Sequence, residues 1–353
     1  MQENWQESIR QELAQVPPGQ QMTCTPGRAP VCHPLGQAGR ALAQVYPLFP
    51  GLTFTRLVVQ GEALAHHHPP KAAALELTHC RRGRVGWEMA DGLTLYLGPG
   101  DLALHPMACC ARSLLRFPLE HYEGFSLSLD PEALAAQPPQ ALAGLAPQAL
   151  LETFCPQGRP TALPARQELD HIFLPLYDLP EEIRVPYYTL KAQELLLYLS
   201  RLPAPAAGGS QEYQSLQVEL VRTIHDQLLA HPDQRVTIEA LAKEHHLNTS
   251  TLKAVFKAVY GQPIAAHMKH HRMQQAARLL AETDQSVGEI AQQVGYENQS
   301  KFSAVFRQTF QVLPTEYRRQ RREQGGEDEI SPCGPLTAGE QECHHEEMGC
   351  RRI

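Results

Sequence analysis

Gln299, Ser300, Lys301, Ser303 and Arg307 set an amide, two hydroxyls and two cations within one short stretch. Groups of this size and charge hydrogen-bond to base edges and neutralise phosphates. Whether they act together depends on what carries them. After Asn298 the apolar residues Phe302, Val305, Phe306 and Phe310 recur at three- and four-residue spacing, so a helix here commits that face to a core and turns the polar set outward. Asn298 is a good N-cap, and Gly295 suits a tight turn with positive φ after an apolar helix ending at Val294 and Tyr296. The stretch reads as helix, turn, helix.

A second unit with the same logic lies upstream, at residues 236–260. Ile238, Leu241, Ala242 and Leu247 form the inward set of its first helix, Asn248 caps its second, and Leu252, Val255 and Phe256 face inward there. Thr249, Ser250, Lys253 and Lys257 are left outward. Between the units, Pro263 fits a first helical position and 264–282 runs without Gly or Pro. Some twenty residues at about 1.5 Å each make a rod of about 30 Å, close to one turn of B-DNA. Two helices held on such a rod reach successive major-groove segments. Either unit alone could be an ordinary helical hairpin; two capped units at this separation argue for a nucleic-acid module. Residues 212–322 carry 14 Lys and Arg against 11 Asp and Glu, a mildly basic surface.

These residues resemble the AraC/XylS family of transcription regulators, whose DNA-binding domain is two helix-turn-helix units joined by one long helix. The matching positions are Leu241-Ala242, Leu252, Phe256-Lys257, Gly261, Arg272-Met273, Ala276, Leu279-Leu280, Ile290-Ala291, Val294-Gly295-Tyr296, Phe302, Phe306-Arg307, Phe310, Pro314 and Tyr317-Arg318, about a third of the chain. The sequence departs at His246, where such a turn often has Gly, and at Ala254 and Ala304, where relatives frequently present Arg to a base. The resemblance implies base contacts from Thr249, Ser250, Lys253, Gln299, Ser300, Lys301 and Ser303. Lys257 and Arg307 are expected to meet phosphate; Arg272 is expected either to do so or to brace the two units. It also implies promoter DNA and RNA polymerase as partners, an activating role, and a homodimer. The pieces at 247–261 and 272–280 look most like regulators of siderophore uptake, which implies a metal-chelate effector.

Upstream, the period changes to two. Strands are expected at 54–59, 74–80, 84–89, 93–97, 102–105, 113–117 and 124–129, parted by Pro, Gly and Asp turns, which indicates a small antiparallel barrel or sandwich. Glu76-Leu77-Thr78-His79, Gly83-Arg84, Tyr96 to Asp101 and His105 resemble the cupin-like sensor domain of many AraC relatives. A barrel of this size holds one small ligand, and Glu76, His79, Trp87 and Tyr96 are the candidate effector pocket. His66, His67, His68, Glu76, His79 and His105 invite a metal reading, but Glu76 follows His68 too late for the cupin pattern and two prolines follow the histidines, so neither metal nor cofactor is expected. A metal-dependent cupin enzyme fused to a DNA-binding module is the alternative. No phosphate loop, nucleophile elbow or ordered triad supports an enzyme.

The expected organisation is α+β: a poorly defined arm at 1–50, a cupin-like effector-sensing barrel at 51–135, a helical segment at 136–202, a linker at 203–211, an all-α double helix-turn-helix domain at 212–322 and an acidic, disordered tail at 323–353. Tyr188, Ala192, Leu195, Leu196 and Leu199 form one apolar face in the helical segment, widened by Leu190 and Leu197, and are expected to build a dimer interface. Net charge is −7, so DNA affinity has to be local. No apolar run approaches a membrane span, and nine scattered cysteines do not form a disulfide framework, so a reducing cytoplasm is expected.

Overall fold

The computed structural model describes residues 5–35, 39–67, 73–89, 92–204, 212–232, 234 and 236–323. The chain runs α1 (Trp5–Leu13), β1 (Gln20–Cys24), β2 (Val31–Pro34), β3 (Arg40–Phe49), β4 (Leu52–Gln60), β5 (Ala63–His67), β6 (Leu75–Gly83), β7 (Val85–Glu88), β8 (Leu93–Leu97), β9 (Leu102–Pro106), α2 (Met107–Cys110), β10 (Arg112–Arg116) and β11 (His121–Leu129). Then come α3 (Pro131–Ala136), α4 (Pro147–Phe154), β12 (Thr161–Leu163), α5 (Gln167–Phe173) and α6 (Glu181–Leu199). The C-terminal part holds β13 (Glu212–Gln214), α7 (Ser215–Ala230), α8 (Ile238–Glu244), α9 (Thr249–Tyr260), α10 (Ile264–Glu282), α11 (Val287–Gln293), α12 (Gln299–Phe310) and α13 (Pro314–Glu323).

The strands form two open sheets, ordered β12-β9-β6-β11-β4-β3-β1-β2 and β13-β8-β7-β10-β5. Neither order closes on itself, so the expected barrel is instead a two-sheet sandwich. The physical reason lies in the expected arm: β3 pairs with β4 along its length, and β1 and β2 extend that edge. Strands added beyond β3 carry the larger sheet past the point where it could curl shut. Strands β1, β2 and β3, drawn largely from the expected arm, are therefore part of the sheet, and α1 packs Ile9 and Leu13 against Leu42 and Val58.

Alternation assigns the two faces of each strand. Ala41, Val59, Cys80, Ala103 and Tyr122 from the larger sheet meet Leu64, Val85, Trp87, Leu95, Leu97 and Leu115 from the smaller one in the interior between them. The opposite face of the larger sheet, with Phe54, Leu75, Leu77, Leu104, Phe125 and Leu127, is covered by α3 to α6. Tyr188, Ala192, Leu195, Leu196 and Leu199 are buried in this core of their own chain, which answers the expected dimer face: periodicity shows that a face is covered, not by what. Ile183, Leu190 and Leu197 remain exposed on α6.

The outer face of the smaller sheet carries the C-terminal domain. β13 pairs with β8, Thr94 Oγ1 lies 3.0 Å from Ser215 Oγ, and Tyr96 joins the core formed by α7, α8, α9 and the first half of α10. Residues 205–211, most of the expected linker, and 324–353, almost all of the expected tail, fall outside the described residues. A second core, built on Met273, Ala276, Leu280, Ile290, Ala291, Val294, Phe302 and Phe306, gathers the rest of α10 with α11 to α13. One helix of 19 residues, about 28 Å long at 1.5 Å per residue, thus serves both cores. Among the described residues, no helix is long and apolar enough to cross a membrane.

The turns between α8 and α9 and between α11 and α12 both need a left-handed residue. Gly295 supplies it at φ 81°, while His246 occupies it at φ 53°. A side chain with a Cβ is strained there by about 1–2 kcal/mol. His246→Gly is expected to raise stability by up to about 1 kcal/mol after the added freedom of the unfolded chain is counted, and Gly295→Ala to lower it by about 1–2 kcal/mol; the denaturation midpoints of the two variants move in opposite directions if the turns are equivalent.

Candidate nucleic-acid interface

Helix α9 begins where Asn248 Oδ1 accepts the Ser250 amide at 2.8 Å and ends at Gly261, left-handed at φ 81°. Leu252, Val255, Phe256 and Val259 are buried, which leaves Ser250, Lys253, Ala254 and Lys257 exposed on the other side with Thr249 half-buried. Helix α12 repeats the plan. Asn298 Oδ1 accepts the Lys301 amide at 3.0 Å, Phe302 and Phe306 are buried, and Gln299, Ser300, Lys301, Ala304 and Arg307 are exposed beside a half-buried Ser303. Gln299, Ser300, Ser303, Ala304, Arg307 and Gln308 line an open groove of about 950 Å³.

Lys253, Lys257, Lys301 and Arg307 have no side-chain ion pair or hydrogen bond among the described residues. Four uncommitted cations on two exposed helical faces keep their charge available to an anionic partner. The helices that support them are capped as firmly: Thr237 Oγ1 accepts the Ala240 amide at 3.1 Å, and Ser286 and Glu289 form a reciprocal capping box. Bonding to Ser286 holds the Glu289 carboxyl below its ordinary pKa.

The structure places Arg272 differently from the other candidates. Its Nε donates to Pro232 O at 2.8 Å and its Nη2 to Gln234 O at 3.2 Å, so the guanidinium ties α10 to the loop before α8. Lys269 Nζ, donating to Gln308 Oε1 at 2.9 Å, ties α10 to α12. Sequence reasoning missed Arg84. From the smaller sheet its Nε donates to Ala258 O at 3.0 Å and Val259 O at 3.1 Å, meeting carbonyls that the C-terminal turn of α9 leaves open. A Cβ on Gly261 would lie 3.2 Å from the Arg84 side chain, so the small residue also makes room for it. Two ion-pair contacts accompany this grip, Arg116 to Glu219 at 3.8 Å and Arg222 to Glu88 at 3.8 Å. Only the Gly83-Arg84 pair, counted in the sensor-domain resemblance, hinted at it.

The four candidate effector residues are not brought together. Glu76 and Trp87 face the interior between the sheets, whereas His79 faces the helical layer, stacked on Phe173 at 4.0 Å with Nδ1 3.3 Å from the Tyr177 hydroxyl. Burial, with Arg81 adding to it, pushes the His79 pKa down to about 3, so its ring is neutral. Tyr96 lies outside the sandwich, in the core of the first helix-turn-helix unit. Even side-chain alternation explains the scatter: 76 and 79 differ by an odd number along β6, as do 87 and 96 on the paired β7 and β8 once their register is followed. The residues that do meet inside the sandwich are His66, Glu76 and Cys110.

Residues 241–320 match the family model described as a helix-turn-helix domain. The regulatory protein SoxS of Salmonella typhimurium is 30% identical over 100 residues, which cover 28% of this chain and 94% of SoxS. The HTH-type transcriptional activator RhaR of Mannheimia succiniciproducens is 36% identical over 85 residues, covering 24% of this chain and 31% of RhaR. The MmsAB operon regulatory protein of Pseudomonas aeruginosa is 30% identical over 146 residues, covering 40% and 45%. The chain thus spans less than half the length of these last two curated relatives. Among solved structures, the C-terminal domain of the response regulator yesN from Fusobacterium nucleatum is similar at 31% identity, over 28% of this chain and 95% of that one, with a TM-score of 0.26. With both of its helix-turn-helix units in place on α10 and a short relative matched almost end to end, the chain belongs to the AraC/XylS family of transcription regulators.

Proposed function

We propose that the protein is a ligand-responsive activator of transcription that binds promoter DNA sequence-specifically as a cytoplasmic homodimer and engages RNA polymerase. The observation that carries the reading is the pair of Asn-capped helices α9 and α12, each with a buried apolar face and an exposed face of polar groups and uncommitted cations, on cores that share α10. The printed name of one relative, a transcriptional activator, supports the sign of the response. Thr249, Ser250, Lys253, Gln299, Ser300, Lys301 and Ser303 read bases, and Lys257 and Arg307, a turn further along their helices, meet phosphate. Arg272, whose guanidinium is taken up by two carbonyls, braces.

The effector is a small molecule taken up by the N-terminal sandwich, with a metal chelate such as a siderophore as the class the sequence resemblance favours. Its signal reaches DNA through the contact of the smaller sheet with α7 and α9. A dimer is supported by Ile183, Leu190 and Leu197, exposed on α6 at seven-residue spacing.

Lys253→Ala and Gln299→Ala are each expected to weaken specific DNA binding by about 1–3 kcal/mol, whereas Arg307→Ala weakens binding to every sequence and flattens its salt dependence; equal losses on specific and random duplexes for all three variants refute this division. Arg84→Ala is expected to leave the DNA affinity of the effector-free protein within a few-fold of wild type while abolishing its change on effector addition, and an undiminished response in that variant removes the proposed route. Leu190→Asp is expected to convert a dimer into a monomer in sedimentation at micromolar concentration, and a wild-type monomer under the same conditions overturns the dimer.

A further inference from the structure

At one end of the sandwich interior the fold buries a carboxylate without a cation to match it. Glu76 is 7% exposed, and no Lys or Arg among the described residues pairs with it. What surrounds it instead are ligand atoms. His66 Nε2 and Cys110 Sγ each lie 3.9 Å from Glu76 Oε2, and the three ligand atoms lie within 4.8 Å of one another. His105, the cross-strand partner of Glu76, faces the same interior at 3% exposure, with the Cys109 thiol beside it. Ser113, the cross-strand partner of His66, is 4% exposed and its hydroxyl is unsatisfied. A closed apolar core does not gather a carboxylate, two imidazoles, a thiol and an unsatisfied hydroxyl in one place, because a buried polar group left without a full set of partners costs on the order of 1–3 kcal/mol.

We infer that His66, Glu76 and Cys110 form a binding site for a divalent metal ion of the zinc class. Mixed imidazole, carboxylate and thiolate ligands suit Zn²⁺, or Co²⁺ in its stead, better than a hard cation such as Mg²⁺ or Ca²⁺. Tetrahedral coordination with bonds of about 2.0–2.3 Å separates ligand atoms by roughly 3.3–3.8 Å, so the observed spacing closes on a metal through a shift of about half an ångström to an ångström. Three elements supply the set: His66 comes from β5 of the smaller sheet, Glu76 from β6 of the larger, and Cys110 from α2 on the crossing between them. The ion therefore cross-links the two sheets. On binding, the Cys110 thiol becomes a thiolate bonded to the metal and its proton passes to solvent; no electron is transferred. His66, half-exposed with its Nε2 buried, is the least enclosed of the three ligands.

The inference is independent of the DNA-binding reading, because it is measured without DNA. The full chain, stripped with a chelator, is titrated with Co²⁺ alone. The expected result is one equivalent bound with a thiolate-to-cobalt charge-transfer band, which disappears in Cys110→Ser and is displaced by Zn²⁺. Glu76→Gln and His66→Asn are expected to raise the dissociation constant at least about tenfold. His66→Asn, at an accessible position, keeps the test decisive if the buried Cys110 variant does not fold. Absence of stoichiometric uptake, or a band that persists in every folded variant and so belongs to other cysteines of the chain, overturns the assignment.

Discussion

A helix that has to leave one face to a partner can be held only by its other face and its two ends. That constraint shapes α9 and α12. Each buries aromatic and branched side chains on one side, and each begins at an asparagine whose carboxamide satisfies an amide of the first turn. At their far ends the two diverge. The last turn of α12 closes through a left-handed Gln311, whereas α9 closes through Gly261 and also receives a guanidinium from the neighbouring sheet. Helix α9 is thus held in part by the smaller sheet of the N-terminal sandwich.

Much of the layering follows from that one attachment. For Arg84 to reach Ala258 and Val259, the outer face of the smaller sheet has to lie against the first helix-turn-helix unit, and its alternating side chains show the result. Glu88, Thr94, Tyr96 and Arg116 all point toward α7 and α9, while Trp87, Leu95 and Leu115 point into the sandwich. Gly86 belongs to the same arrangement, since a Cβ there would lie 2.5 Å from the Tyr96 ring. The molecule is therefore built in layers: helices, larger sheet, smaller sheet, then the first of two DNA-binding units.

The sequence made some of this legible and hid the rest for identifiable reasons. Helices α9 to α12 were readable because capping residues and apolar spacing are local signals, and strands β6 to β11 because alternation and turn residues agree. Strands β1 and β2 were not, since β1 is half-buried throughout and β2 exposed throughout, which leaves no alternation to detect. The apolar stripe of α6 was visible but its partner was not, because intramolecular and intermolecular burial write the same pattern. Arg84, Tyr96 and Cys110 depend on contacts between segments far apart in the chain, for which a single sequence carries no marker. His66 and Glu76 were noticed and set aside on spacing, yet they come from different sheets, where distance along the chain says little about distance in space.

Helix α10 supplies Ile264 and Met268 to one core and Met273, Ala276 and Leu280 to the next. Neither unit can therefore melt without stripping cover from half of a shared rod, so two bodies with separate interiors are bound into one cooperative transition. The same rod fixes leverage: a tilt of about 5° at the near unit would arrive at the far unit, about 28 Å along, as a displacement of about 2–3 Å, as large as a hydrogen bond is long.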